Sequence, residues 1–159
     1  MRIPFFACLA AAAVSVAAYA VADGHISDEQ IETSIKARQS HMQLYSFHMA
    51  TLGGMAQDKM PYDAAAASAA ADSIVALTTL SQSRYWLPGS DSDSVEGSRA
   101  LPAIWAEGSD VGDKGAALVE AALAMQEAAG TDLDALKAAM GPLGGACGDC
   151  HRSYRVRNE

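Results

Sequence analysis

Four stretches in which apolar residues recur at steps of three and four predict an all-α chain, an antiparallel up-down-up-down four-helix bundle. No stretch shows the alternation of a half-buried strand, and no internal repeat is present. Only a few residues separate the third and fourth stretches, so those two helices must be antiparallel neighbours.

The segment ahead of the first helix reads as an address rather than as structure. Arg2, an apolar run from Ile3 to Ala18 and the small-residue triplet Ala20-Val21-Ala22 have the form of a secretory signal peptide. This assigns residues 1–22 to a removed leader and residues 23–159 to one domain with one core, although a cut after Ala20 satisfies the same rule. Cys8 leaves with the leader. Of the 3 cysteines only Cys147 and Cys150 then remain.

Ser27 with Gln30 three residues on, and Asp28 and Glu29 between them, is a capping-box start for the first helix. That helix is expected to run to a stop at Gly53-Gly54, with Ile31, Ile35, Arg38, Met42, Tyr45, Met49 and Leu52 along its inward stripe. Arg38 is the odd member of that stripe. A buried guanidinium there calls for an anionic partner, whereas a snorkelling one would keep its head in water. Met42, one turn further, is either a core methionine or a metal ligand. His41 and His48 fall off the stripe and are expected in solvent, and His25 has no evident role.

Pro61-Tyr62-Asp63 introduces an alanine-rich second helix reaching about Ser83, with Ala70, Ile74 and Leu77 on its inner face. From Trp86-Leu87-Pro88-Gly89 to Ser98 the chain is too rich in Ser, Asp and Gly for regular structure and reads as a flexible loop. Leu101 to Trp105 is expected to add a short helical turn, with Trp105 packing on the bundle. Ser109 or Asp110 can cap a third helix ending before Gly130, with Val111, Leu118, Ala122 and Met125 inward. Thr131 is then expected to cap a fourth helix whose seam runs Leu133, Leu136, Met140, Leu143, Cys147, Cys150 and Tyr154. Pro142 should bend this helix, while Gly144 and Gly145 leave its backbone bare.

Near the end of that helix lies Cys147-Gly148-Asp149-Cys150-His151. Two thiols one turn apart, with an imidazole on the same face, are what a doubly thioether-linked haem requires. A thiol redox pair would be expected beside a βαβ pattern, which is absent. A structural zinc site would need two further ligands, for which the chain offers only scattered histidines. The motif therefore predicts one covalent haem c, on Cys147 and Cys150, with His151 on the iron. Arg155 stands one turn beyond His151, either near the edge of that haem or as part of a basic helix end with Arg152 and Arg157.

The chain resembles the class II c-type cytochromes, the cytochrome c′ family, over essentially all of residues 23–159. The resemblance rests on Arg38-Gln39 with Met42, Met60-Pro61-Tyr62-Asp63-Ala64-Ala65, Pro88-Gly89-Ser90, Pro102-Ala103-Ile104-Trp105, and the haem motif followed by Tyr154-Arg155. It implies a periplasmic haem protein in which Arg38, Gln39 and Arg155 line the haem edge and Met42 is a candidate sixth ligand. Some members of the family keep five-coordinate iron and others bind a methionine sulfur. A homodimer through the first two helices is a family trait, and a monomer fits the sequence equally.

The formal charge of −8, one unit more negative without Arg2, disfavours nucleic acid and suits basic or neutral partners, or solubility alone. No other apolar run is long enough to span a bilayer. Two functions from different classes follow. One is electron transfer with periplasmic redox partners; the other is binding of nitric oxide or carbon monoxide at an open haem face. An enzymatic role in peroxide chemistry lacks the distal acid-base pair it needs, so a non-enzyme is expected.

Overall fold

The computed structural model describes residues 26–157. The leader 1–22, its cleavage triplet, Cys8 and His25 lie outside them.

Helix α1 spans Asp28–Ala56 and begins with the expected capping box: Ser27 Oγ accepts from the Gln30 N–H, and Gln30 Oε1 accepts from the Ser27 N–H. It does not stop at Gly53-Gly54. Both glycines lie inside the helix, where a Cβ on Gly54 would come within 2.8 Å of Met60 Sδ, at the movable end of an exposed side chain. Reversal comes only after Gln57, with Asp58 in the left-handed region at φ 56°.

Helix α2 covers Ala64–Thr79, capped by Asp63, whose carboxylate accepts from the Ala66 N–H at 2.9 Å. It ends short of Ser83 because Leu80 turns extended. Its inner face is Ala67, Ala70, Ala71, Ile74 and Leu77, and the small residues let α1 and α3 approach.

The chain then crosses the end of the bundle to a 3₁₀ turn at Pro102–Trp105, as expected. The polar stretch between is not the loose loop its composition suggests. Ser90, Asp91 and Ser98 are buried, and Asp91 accepts from the Asp93 and Ser94 N–H groups and from Ser94 Oγ. Burial alone would raise the Asp91 carboxyl, but these donors hold it below the usual carboxylate range.

Helix α3 runs Val111–Ala129 and α4 Leu133–Tyr154. The cap of α4 is Asp132, accepting from the Ala135 N–H, while Thr131 donates back to the Glu127 carbonyl and closes α3 instead. Gly130 keeps a right-handed φ of −92°. A Cβ there would run into Ser68 Oγ of α2, so proximity rather than backbone conformation accounts for it. α4 remains one helix across Pro142, whose ring is exposed.

Each helix packs on the next and α4 returns to α1, closing an all-α bundle. Leu52, Met55, Ile74, Met125, Leu136 and Leu143 form its fully buried centre. Ala100, Ile104 and Tyr154 make a second cluster at one end, against Trp86, Trp105, Val111 and Cys150. There Ala100 and Arg155 form an antiparallel bridge, extended by bonds from the Leu101 N–H to the Tyr154 carbonyl and from the Val156 N–H to the Arg99 carbonyl. Among the described residues, no helix is long and apolar enough to cross a membrane.

Candidate haem site

The last two turns of α4 present Cys147 and Cys150 half-buried and His151 exposed. Both thiols are unpaired. Burial raises the pKa of Cys147, with Cys150 adding to it; burial also raises that of Cys150, where Lys114 opposes and Asp110 reinforces the shift. Both shifts favour the protonated thiol over the thiolate. His151 shifts the other way. Partial burial, then the charges of Arg155 and Arg99, lower its pKa and favour the neutral imidazole that a metal requires.

Gly144 stands one turn before Cys147, and a side chain at Gly144 or Gly145 would meet no protein atom within 4 Å. The backbone beside the motif is thus bare on the face that carries Cys147 and His151.

Facing α4 across the bundle is α1. Tyr45 is 7% exposed with a hydroxyl that finds no partner, and its pKa is pushed up to about 12 by burial and by the Cys147 thiol. An orphaned polar atom beside Cys147, two free thiols one turn apart and a bare glycine face together fit a flat group with a polar edge, as a haem is. Met42, one turn before Tyr45, is 36% exposed and so lies at the edge of the seam rather than within it.

The inward position belongs to His41, which corrects the expectation that it is solvated. It is 3% exposed, hydrogen-bonded to the Leu77 carbonyl, edge-on to Tyr45 at 4.9 Å and Tyr85 at 5.6 Å, and its Nε2 has no partner. Burial lowers its pKa more than the Leu77 bond restores it, so it is neutral. A signal was available: His41 is three residues past Arg38 and four before Tyr45, on the spacing of a buried stripe.

Arg38 is buried at 4% exposure, so the snorkelling alternative fails. Its fork is held by the loop: Nη1 donates to the Tyr85 carbonyl and Ser90 Oγ, and Nη2 to the Ser90 carbonyl at 2.5 Å and Ser98 Oγ. The guanidinium also lies 5.3 Å from the centre of the Trp86 ring. Burial lowers its pKa and the Asp91 charge partly restores it. The anionic partner the sequence called for is thus supplied in part by the chain itself. Gln39 is exposed and donates to the Gly97 carbonyl.

At the far end of α4 Tyr154 donates to Asp110 Oδ1 at 2.5 Å and accepts from Ser109 Oγ and the Asp110 N–H. This hook ties the haem-motif turn to the start of α3, and sequence reading did not single it out. Arg155 is exposed and, with Arg99, His151, Arg152 and Arg157, lines a shallow groove of about 340 Å³.

An all-α bundle whose last helix ends in two free thiols one turn apart and an adjacent imidazole defines a c-type haem protein. The family model described as Cytochrome C′ matches residues 33–155, and the chain belongs to that family. It is 43% identical over 129 residues to a cytochrome c-554 of Cereibacter sphaeroides, across 81% of this chain and 84% of that one. Its fold is similar to that of cytochrome c′ from Rhodobacter Spheriodes, with TM-score 0.78, 39% identity, and coverage of 80% of this chain and 98% of the other. It is also similar, with TM-score 0.70, 30% identity and coverage of 80% and 97%, to the nitric oxide complex of a mutant cytochrome c prime from Alcaligenes xylosoxidans. The family is periplasmic and carries one covalent c-type haem.

Proposed function

We propose that this chain is a periplasmic electron carrier whose haem is bound by thioethers to Cys147 and Cys150 with His151 on the iron. The observation that carries the reading is the placement of Cys-x-x-Cys-His at the end of α4, with Cys147 half-buried beside Tyr45, Cys150 half-buried against the second cluster and the imidazole pKa lowered. When bound, the haem supplies one-electron exchange between ferric and ferrous iron. The chain's part is to hold it. Partial burial, then the charges of Arg155 and Arg99, favour a neutral His151, Arg38 fastens the loop over the α1 side, and Tyr154 holds the motif turn against α3. Arg38, Gln39 and Arg155 are the polar groups at the haem's edge. Residues 1–22 direct export and are removed.

Met42 decides the second reading. At 36% exposure on the edge of the seam it is free to approach the iron or to leave that face to a diatomic ligand. The nitric oxide complex of the similar Alcaligenes protein favours weighing gas binding beside electron transfer. A homodimer would form on the outer face of α1, where Leu44 and Phe47 are exposed. The absorption spectrum of the purified ferric protein tests the reading. A low-spin spectrum supports methionine ligation and electron transfer, whereas a high-spin spectrum with fast nitric oxide uptake turns the assignment to gas binding.

A further inference from the structure

Two neighbouring side chains on the inner face of α1 are more than nine-tenths buried and each carries a polar atom that nothing satisfies, the hydroxyl of Tyr45 and Nε2 of His41. Their rings meet edge-on at 4.9 Å, yet the two atoms do not bond each other. His41 is already committed elsewhere, hydrogen-bonded to the Leu77 carbonyl and edge-on to Tyr85. A buried hydroxyl without an acceptor is destabilising, and phenylalanine would fill the same space without that loss. The Tyr45 oxygen is thus retained where the fold alone gives it no use.

Its position says what could use it. Burial first, and then the Cys147 thiol, push the Tyr45 pKa up to about 12, so the phenol is a donor and lies beside one of the two attachment points of the haem. Arg38 and Gln39, assigned to the polar edge of that haem, stand about two turns earlier on α1, and Met42, the candidate sixth ligand, stands between them and Tyr45. Long side chains on a helix cover the turn N-terminal to their own Cα, as the contact of Tyr45 with His41 shows. The hydroxyl therefore leans back toward the turn that carries Met42.

We propose that Tyr45 is a specificity-determining residue of the haem's α1 face, its hydroxyl donating a hydrogen bond to a small ligand on the iron and so favouring anions and diatomics with an accepting outer atom over carbon monoxide. This deepens the ligand-binding reading and rests on the haem assignment. Hydrogen-bond donors placed over the iron are among the features that decide which small molecules a haem protein binds.

The test uses the haem-bearing protein with Met42→Ala, in which no thioether competes for the iron, and compares it with Met42→Ala/Tyr45→Phe, which keeps the ring and removes only the hydroxyl. Azide is the accepting probe on the ferric form and carbon monoxide the control on the ferrous form. Loss of one hydrogen bond should weaken azide binding about three- to tenfold, while carbon monoxide affinity stays within about twofold. The C–O stretching band should move to higher frequency as the donor is lost. Equal weakening of both ligands would make the change one of pocket shape and overturn the proposal. So would an unchanged azide affinity, which would leave the hydroxyl to the haem's edge, or a failure of both proteins to take up azide. Haem retention on denaturing electrophoresis is read separately. Haem lost from the wild type ends the haem assignment, whereas haem retained with azide affinity unchanged ends only the role of Tyr45.

Discussion

Replacing Arg38 with leucine removes four hydrogen bonds, to the Tyr85 carbonyl, Ser90 Oγ, the Ser90 carbonyl and Ser98 Oγ. Bonds from a charged donor contribute about 1.5–3 kcal/mol each, but the sum overstates the loss. The Ser90 carbonyl still accepts from Ser98 Oγ, and Ser90 Oγ still donates to the Leu87 carbonyl, so only the Tyr85 carbonyl is orphaned. Leucine also recovers some burial energy at a site 4% exposed. The expected cost is about 3 kcal/mol. With a urea slope of about 1.5 kcal/mol per molar, the unfolding midpoint should fall by about 2 M. Arg38→Lys keeps the charge without the fork and should lose roughly half as much. Lys36→Leu, on an exposed side chain paired with Glu32 at 3.9 Å, should move stability by less than about 0.5 kcal/mol. If Arg38→Leu unfolds at the same urea concentration as Lys36→Leu, with unchanged amide exchange at Gly97 and Ser98, the tether is not what holds the loop.

Four further outcomes are expected. Wild-type haem should stay with the protein in acidified organic solvent, and Cys147→Ala/Cys150→Ala should release it; release from the wild type would end the thioether assignment. If Met42 ligates iron, Met42→Ala should convert a low-spin ferric spectrum to high-spin; if it only packs nearby, the spectrum stays high-spin and gas binding quickens. Met125→Ala, at a fully buried position, should cost about 2–5 kcal/mol, whereas Leu123→Ala, 45% exposed, should be near neutral by thermal melt. The Asp110 carboxyl is held below its usual range, first by the Tyr154 hydroxyl and then by Lys114. Its stabilisation is thus present above the ordinary carboxylate pKa and is lost as pH falls through the lowered one. Tyr154→Phe should flatten the acid side of the stability profile, and an unchanged slope would remove this hook from the account.

Much of the bundle was legible because its causes are local. The Ser27 and Gln30 box, the start of α2 after Pro61-Tyr62-Asp63 and the apolar steps through Ile74, Met125, Leu136 and Leu143 each act within a turn or two of the chain. So does the haem motif, whose face follows from helical spacing alone. The errors came from contacts far apart in sequence. Which flank of α1 turns inward depends on Leu77 and Tyr85, so His41 is buried and Met42 lies at the edge, although a stripe through Arg38 and Tyr45 admits either. The loop looked flexible because its composition is that of a loop, yet its anchor on Arg38 lies 52 and 60 positions away at Ser90 and Ser98. Thr131 and Asp132 are equally able caps, and only the path of the backbone chooses Asp132.

The two tryptophans share one small region: Trp105 Nε1 donates to the Trp86 carbonyl at 3.0 Å, their rings are 6.5 Å apart, and Arg38 covers the Trp86 face. Neither belongs to the bundle's main core, so indole emission follows the loop and not the helices. Far-ultraviolet dichroism follows the helices and not the loop. An emission change that precedes loss of ellipticity on heating would reveal a loop that undocks while the bundle stands, two separately melting units within one chain.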